Sequence, residues 1–131
     1  AKFMKDAFKT KAINIYGDGT QTRDFLYIDD LIEAIYLVSC SKKTAGEVFQ
    51  VATGIETDVN KLAFLIKKCF QEKIQTNINL NNVESPHREV LRNYSDPNKI
   101  KKIIGWQSKV KIEEGINLTF NSFLNKFKTT L

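Results

Sequence analysis

What most constrains this chain is a hydrophobic pattern whose period switches repeatedly between about two and about 3.6. Ile13, Ile15 and Tyr16 read as a short strand closed by a Gly17-Asp18-Gly19 turn, and Glu47 to Ala52 (EVFQVA) as a strand bounded by Gly54. Ile74, Thr76, Ile78 and Leu80 alternate as a half-buried strand does. Helical faces fall between these runs. Phe3, Met4, Ala7 and Phe8 mark the first. Asp29 or Asp30 caps a second, with Leu31, Ile32, Ala34, Ile35, Leu37 and Val38 apolar nearly all round. Thr57 caps a third, whose inner face holds Leu62, Leu65, Ile66, Cys69 and Phe70. Asp96 as cap, Pro97 at the first helical position, a stripe of Ile100, Ile103 and Ile104, and Gly105 as terminator define a fourth. The last, roughly Ile112 to Lys128, buries Ile116, Phe120, Phe123, Leu124 and Phe127. Strands alternating with helices specify an α/β protein.

Nine phenylalanines and 42% apolar residues in 131 are enough for a real core, which excludes disorder. Cys40 and Cys69 fall in apolar helical patterns without metal-ligand spacing, and read as buried free thiols in a reducing compartment. No apolar run approaches the ~20 residues of a membrane span and no signal peptide is recognisable, so the expectation is a soluble cytoplasmic protein. The net charge of +5 comes from scattered lysines rather than a basic stripe with interleaved aromatics, which argues against a nucleic-acid partner. Of the 20 basic residues 17 are lysine; only Arg23, Arg88 and Arg92 are arginine. A chain that departs from lysine three times has a use for a planar fork, which grips phosphate or carboxylate with two parallel hydrogen bonds.

The segment IYGDGTQTRDFLYIDDLIEAI closely resembles a hallmark of the extended short-chain dehydrogenase/reductases, the NAD-dependent sugar-nucleotide epimerases, dehydratases and decarboxylases. Four further stretches match in order: KFMKDAFKTKAINIYGDG, GEVFQVATG (with Gln50 where the family usually has Asn), REV…YSDPNKIKKIIGW and KIEEGI. The resemblance covers nearly the whole chain. It implies the C-terminal, substrate-binding part of a Rossmann-type enzyme, residues 1–131, of which 30–52 (a helix and a strand) would pack on the dinucleotide-binding domain. Apolar surface left exposed there, or buried against another copy of the chain by self-association, is the expected consequence. The glycines at 17, 19, 46, 54, 105 and 115 do not form a dinucleotide fingerprint. None of Tyr16, Tyr27, Tyr36 and Tyr94 has a lysine four residues on, as the family's catalytic tyrosine has. By resemblance, then, NAD or NADP serves the complete enzyme and is bound upstream; the chain itself carries no catalytic, cofactor-binding or metal-binding residue and is inactive alone.

The resemblance also assigns the substrate contacts. Arg23 matches the arginine that reaches the diphosphate of a UDP- or dTDP-sugar; read without the family, it is equally a salt-bridge partner for Asp24 or Glu47. The family's second arginine belongs to an Arg-x-Gly-acid pattern, in which Pro86 stands here at the arginine and Arg88 at the glycine. Either Arg88, or else Arg92, is then the second phosphate ligand or this contact is lost, and Glu89 is the ribose acceptor or the surface ion-pair partner of a nearby lysine. Asn14, Ile15 and Tyr16 match the strand whose backbone and aromatic edge line the nucleobase pocket. His87, the single histidine, reads as a loop residue. The expected function is substrate binding for a UDP-sugar 4-epimerase. Competing readings are a dTDP-sugar dehydratase, a UDP-glucuronate decarboxylase, and a non-catalytic nucleotide-binding or interaction module.

Overall fold

The structure, a computed structural model, describes residues 2–85 and 89–128, with side chains described as far as residue 125. The elements in order are α1 (Lys2–Thr10), β1 (Ala12–Tyr16), β2 (Thr22–Asp24), α2 (Ile28–Cys40), a 3₁₀ turn (Lys42–Thr44), β3 (Glu56–Asp58), α3 (Val59–Ile74), β4 (Asn79–Val83), β5 (Arg92–Asn93), α4 (Asn98–Ile104) and α5 (Ile112–Lys128). They belong to two compact units.

The first unit comprises Ala1–Gln21, Asp58–Leu91 and Glu113–Leu131. β1 and β4 form a parallel pair, with Ala12 opposite Asn79 and Tyr16 opposite Val83. Alternation along β1 sends Ile13 and Ile15 into a core shared with Met4 and Ala7 of α1, Ala63, Ile66, Cys69 and Phe70 of α3, and Phe120 of α5. The Phe8 and Phe70 rings lie 4.6 Å apart, and Phe70 meets Phe120 edge-on at 4.9 Å. Each fully buried phenylalanine contributes about 1.5–3 kcal/mol from area alone, so this cluster dominates the unit's stability. Cys69 is buried as expected, and its burial pushes the thiol pKa up. The helix cap is Asp58, which accepts from the Lys61 N–H, while Thr57, the expected cap, is buried in β3.

The strand expected from Ile74 begins later. α3 runs to Ile74, Gln75 turns it off in the left-handed conformation (φ 50), and pairing with β1 starts only at Asn79. The alternation is real at Ile78, which is fully buried, but a strand begins where a partner does. Phe127 lies outside the described side chains.

The second unit comprises Thr22–Thr57 and Arg92–Ile112. Its sheet has the order β3-β2-β5, with β2 and β5 parallel. Its core is smaller: Ala34, Ile100 and Trp106, ringed by Leu26, Leu37, Val38, Phe49, Val51 and Ile104. The α4 stripe and stop hold: Ile100 is buried and Gly105 (φ 75) closes the helix. Its start lies one residue later than expected, since Pro97 is the N-cap position rather than the first helical residue, and Asp96 accepts from the Asn98 N–H from outside the helix.

Three further expectations fail in this unit. Neither Asp29 nor Asp30 caps α2; the N-cap position is Tyr27, with no side-chain bond. Asp30 is buried and its Oδ2 accepts from the N–H groups of Lys109 and Val110, both at 3.0 Å. Residues 47–52 form no strand, because no neighbouring strand pairs with them, and Val48 is 78% exposed. Cys40 is exposed at the last turn of α2 rather than buried. One face of α2 packs on the core through Ala34, while Ile28, Ile32, Ile35 and Tyr36 are each more than half exposed, at 54–65%. No helix among the described residues is long and apolar enough to cross a membrane.

Candidate functional site

In the second unit, Arg23 stands in the middle of β2, half-buried, and lines a cavity of about 170 Å³ with Asp24, Leu26, Val51, Asn93 and Tyr94 among others. Its Nη1 donates to the Thr22 carbonyl at 2.7 Å, which sets the direction of the fork. The next residue fixes the strand. Asp24 Oδ1 accepts from the backbone N–H of Thr53 at 3.0 Å and from its hydroxyl at 2.6 Å, and Oδ2 accepts from the Gly54 N–H at 2.8 Å. Gly54 has φ +74, and a Cβ there would sit 3.1 Å from Pro97 Cδ. The β2 residue after Arg23 is thereby pinned to the 53–54 turn by charge-assisted hydrogen bonds and a close backbone approach.

The neighbouring strand position is equally constrained. Register sets Thr22 opposite Arg92, and Arg23 opposite Asn93. Arg92 grips Glu56 with two parallel bonds, Nε to Oε1 at 3.0 Å and Nη2 to Oε2 at 2.6 Å, and Thr22 donates its hydroxyl to the same Oε1. The guanidinium also lies 5.2 Å over the Tyr94 ring. The Arg92 fork and the Thr22 hydroxyl hold the Glu56 carboxyl down from 4.5 to about 2, and Glu56 raises the arginine in turn. The fork of Arg92, the alternative second phosphate ligand, is engaged with the Glu56 carboxylate. The two acids considered as partners for Arg23 also carry other bonds, Asp24 as described and Glu47 to Lys99 at 2.8 Å.

In the first unit, Asn14, Ile15 and Tyr16 occupy the second half of β1. Ile15 is buried, so only its backbone is presented. Asn14 is exposed and accepts from Asn81 Nδ2 at 3.2 Å. Tyr16 is half-buried under Lys2, whose Nζ lies 5.0 Å from the ring centroid, and its carbonyl accepts from Gln21 Nε2 at 2.9 Å. The following turn is tight. Asp18 accepts from the Thr20 N–H and hydroxyl, which lowers its pKa, and Asn60 Nδ2 donates to the Asp18 carbonyl. A Cβ on Gly19 would fall 2.1 Å from Asn60 Oδ1, so glycine is required there. Glu89 is exposed and accepts from Ser85 Oγ at 3.1 Å. Arg88, with Pro86 and His87, lies outside the described residues. Among the described residues no group of three potential ligands is placed to hold a metal ion.

Of the expected site residues, Arg23 alone lines a cavity of the second unit, while Asn14, Ile15, Tyr16 and Glu89 belong to the first. Sequence reasoning missed Asn93 and Tyr94 on the cavity wall, the bonds of Asp24 to the 53–54 turn, and Glu56. Only the arginine count and the motif pointed to this region, and neither reports pairing across 30 or more residues.

The family model described as GDP-mannose 4,6 dehydratase matches residues 2–119. The chain belongs to this family. Among related proteins, a UDP-glucuronate 4-epimerase of Thermodesulfobacterium geofontis is 29% identical over 92% of this chain and 36% of its own length. The solved UDP-glucose 4-epimerase of Thermotoga maritima, holding UDP-glucose, is 29% identical with a TM-score of 0.79, over 96% of this chain and 39% of that one. A UDP-glucuronic acid 4-epimerase variant from Bacillus cereus, solved with a fluorinated UDP-glucuronic acid and NAD, has a TM-score of 0.78 at 24% identity, over 95% of this chain and 38% of that one. At that identity the likeness speaks for the fold alone.

The relatives named here carry the names of nucleotide-sugar epimerases, and this chain spans a little over a third of their length. The expected architecture, the α/β C-terminal portion of a Rossmann-type extended short-chain dehydrogenase/reductase, is the one found.

Proposed function

We propose that this chain is the sugar-nucleotide-binding portion of an NAD(P)-dependent epimerase or dehydratase, of the UDP-sugar 4-epimerase type, and that it is inactive alone. One observation carries the reading. The cavity of the second unit is walled by an arginine whose strand is locked on both sides, by Asp24 to the 53–54 turn and by Glu56 and Arg92 across the sheet. A guanidinium held so firmly is suited to an anion of fixed geometry, and a diphosphate is one. The UDP-glucose and UDP-glucuronate epimerases among the relatives support the choice of substrate class.

Within that reading Arg23 holds the diphosphate, Arg88 supplies a second cation, Glu89 accepts from the ribose, and Asn14, Ile15 and Tyr16 receive the nucleobase. Segment 30–52 packs on the dinucleotide-binding domain of the complete enzyme, where its exposed isoleucines are covered. That domain would hold NAD or NADP, which would supply reversible hydride transfer. The residues of this chain do not fit such a cofactor: the Gly17-Asp18-Gly19 turn after β1 has Thr22 where the third glycine would stand, and it leads into β2 rather than a helix. Their task is orientation: binding energy from the remote nucleotide end fixes the sugar where reaction occurs.

The test is calorimetric titration of UDP-glucose into the complete protein and its Arg23→Lys variant. Lysine keeps the charge and loses the fork, so affinity should fall by about 1–3 kcal/mol, the scale of charge-assisted hydrogen bonds. An unchanged dissociation constant would refute the assignment.

A further inference from the structure

The second unit holds a larger cavity, of about 700 Å³, beside the one that Arg23 lines; Ala52, Tyr94 and Ser95 belong to both. Its size is that of a small-molecule site, and its walls are fixed. On one side Thr53 and Gly54 are held by the Asp24 carboxylate. On the other, Trp106 donates its Nε1–H to the Asp30 carbonyl, and Lys109 and Val110 donate their N–H groups to the Asp30 carboxylate. Gln107 and Ser108, between those anchors, line the cavity from a backbone held at both ends. A ligand here would meet a pre-organised surface, which lowers the cost of binding.

The lining states what kind of ligand fits. In the smaller cavity Arg23 and Asp24 already carry bonds, whereas here the side chains of Ser95, Asn98, Gln107 and Ser108 make no hydrogen bond to another described residue. Hydroxyls and carboxamides both donate and accept. Asp96 and Lys101 bring one charge of each sign, so a strongly anionic or cationic ligand gains from one and is opposed by the other. Pro97 and the buried Trp106 add apolar surface, and Tyr94, 49% exposed, adds an aromatic one. The complement of such a surface is an uncharged molecule that carries many hydroxyl groups around a C–H face.

We propose that this cavity is a second ligand site, separate from the one that Arg23 lines, and that it takes a neutral saccharide of one or two rings. The proposal stands on the lining of the larger cavity and does not need the diphosphate reading of Arg23. Saccharide hydroxyls exchange hydrogen bonds with the carboxamides of Asn98 and Gln107 and with the two serines. Lys101 donates to a hydroxyl oxygen, Asp96 accepts from a hydroxyl proton, and the C–H face lies against the Tyr94 ring.

The experiment is two-dimensional NMR of the complete protein, reading the Trp106 indole N–H and the amides of Asn98, Gln107 and Ser108. Glucose, galactose, N-acetylglucosamine and maltose are the saccharide probes, and inorganic phosphate is the anionic one. At least one saccharide should shift these signals saturably while phosphate leaves them in place. Intermolecular NOEs should join its C–H protons to the Tyr94 ring, a check that needs no variant. Asn98→Ala combined with Gln107→Ala should weaken that saccharide about tenfold, the scale of losing two hydrogen bonds. The Asn98 backbone N–H still meets Asp96 in this variant, so the start of α4 is kept. Affinity for UDP and for UDP-glucose should be unchanged. Four results overturn the proposal: no saccharide saturates, phosphate shifts the same signals, no NOE reaches Tyr94, or the double variant binds the saccharide as wild type does. A double variant that loses UDP-glucose but not UDP overturns it too, because the cavity would then be the sugar end of the nucleotide site. None of these touches the diphosphate reading, which stands or falls with the Arg23→Lys titration.

Discussion

Glu56 shows how a single carboxylate can hold a site that it does not enter. Its two oxygens take the Arg92 fork and the Thr22 hydroxyl, so it joins the residue before Arg23 to the residue before Asn93. The same bonds depress its pKa from 4.5 to about 2, which gives the arrangement a pH signature. A group whose folded pKa lies below its unfolded value stabilises the fold fully above the unfolded value. That contribution is lost as pH falls from about 4.5 through about 2. Urea unfolding of wild type and Glu56→Gln across this window should show a stability difference that is constant above about pH 5 and narrows steadily towards pH 2. A difference independent of pH would mean that the bidentate bond is not formed in solution. At this scale the sequence disclosed Arg23, because arginine is rare in the chain and the motif around it is specific. It did not disclose Glu56 with Arg92, or Asp24 with Thr53 and Gly54, whose partners lie 29 to 36 residues apart.

Among the elements, α2 departs furthest from its sequence pattern. Its first-turn acids suggested a cap, yet Asp30 faces inward and organises the segment after α4. Its Oδ2 receives two backbone N–H groups, and its carbonyl accepts from Trp106 Nε1 at 3.2 Å. An aspartate at a helix start and an aspartate holding a distant loop look alike in sequence; burial separates them. Asp30→Ala would leave two part-buried N–H donors without a partner, and should cost about 3 kcal/mol in chemical denaturation. Asp30→Asn keeps an acceptor oxygen and should lose about half as much or less. Equal losses in the two variants would show that the carboxylate is needed for its charge rather than as an acceptor. The helices were the legible elements, since their stripes and the Gly105 stop are local. Strand limits were not: β4 starts where β1 offers a partner, and β5 has only Arg92 and Asn93, too short to carry a period.

For the molecule as a whole, the segment from Asp30 to Ala52 combines a patterned sequence with unsatisfied structure. EVFQVA has the composition of an inner strand, and α2 is apolar nearly all round, but here the first has no partner strand and the second leaves four large apolar side chains exposed. On the proposed function, the pattern records a neighbour in the dinucleotide-binding domain of the complete enzyme; the fold class was legible from local patterns, whereas a strand needs a partner. Hydrogen exchange distinguishes that account from intrinsic looseness. In the 131-residue chain, amides 48–52 should exchange rapidly while those of α3 beneath the Phe70 cluster exchange slowly, since protection follows paired backbone and buried contacts. In a protein that also carries the proposed dinucleotide-binding domain, the same amides should gain protection by strand addition, and the α2 amides should slow with them. If the 48–52 amides were already as slow as α3 in the monomeric chain, no further domain would be needed to explain them. The assignment of 30–52 to an interdomain surface would then fall, leaving the Arg23 cavity to be judged on its own titration.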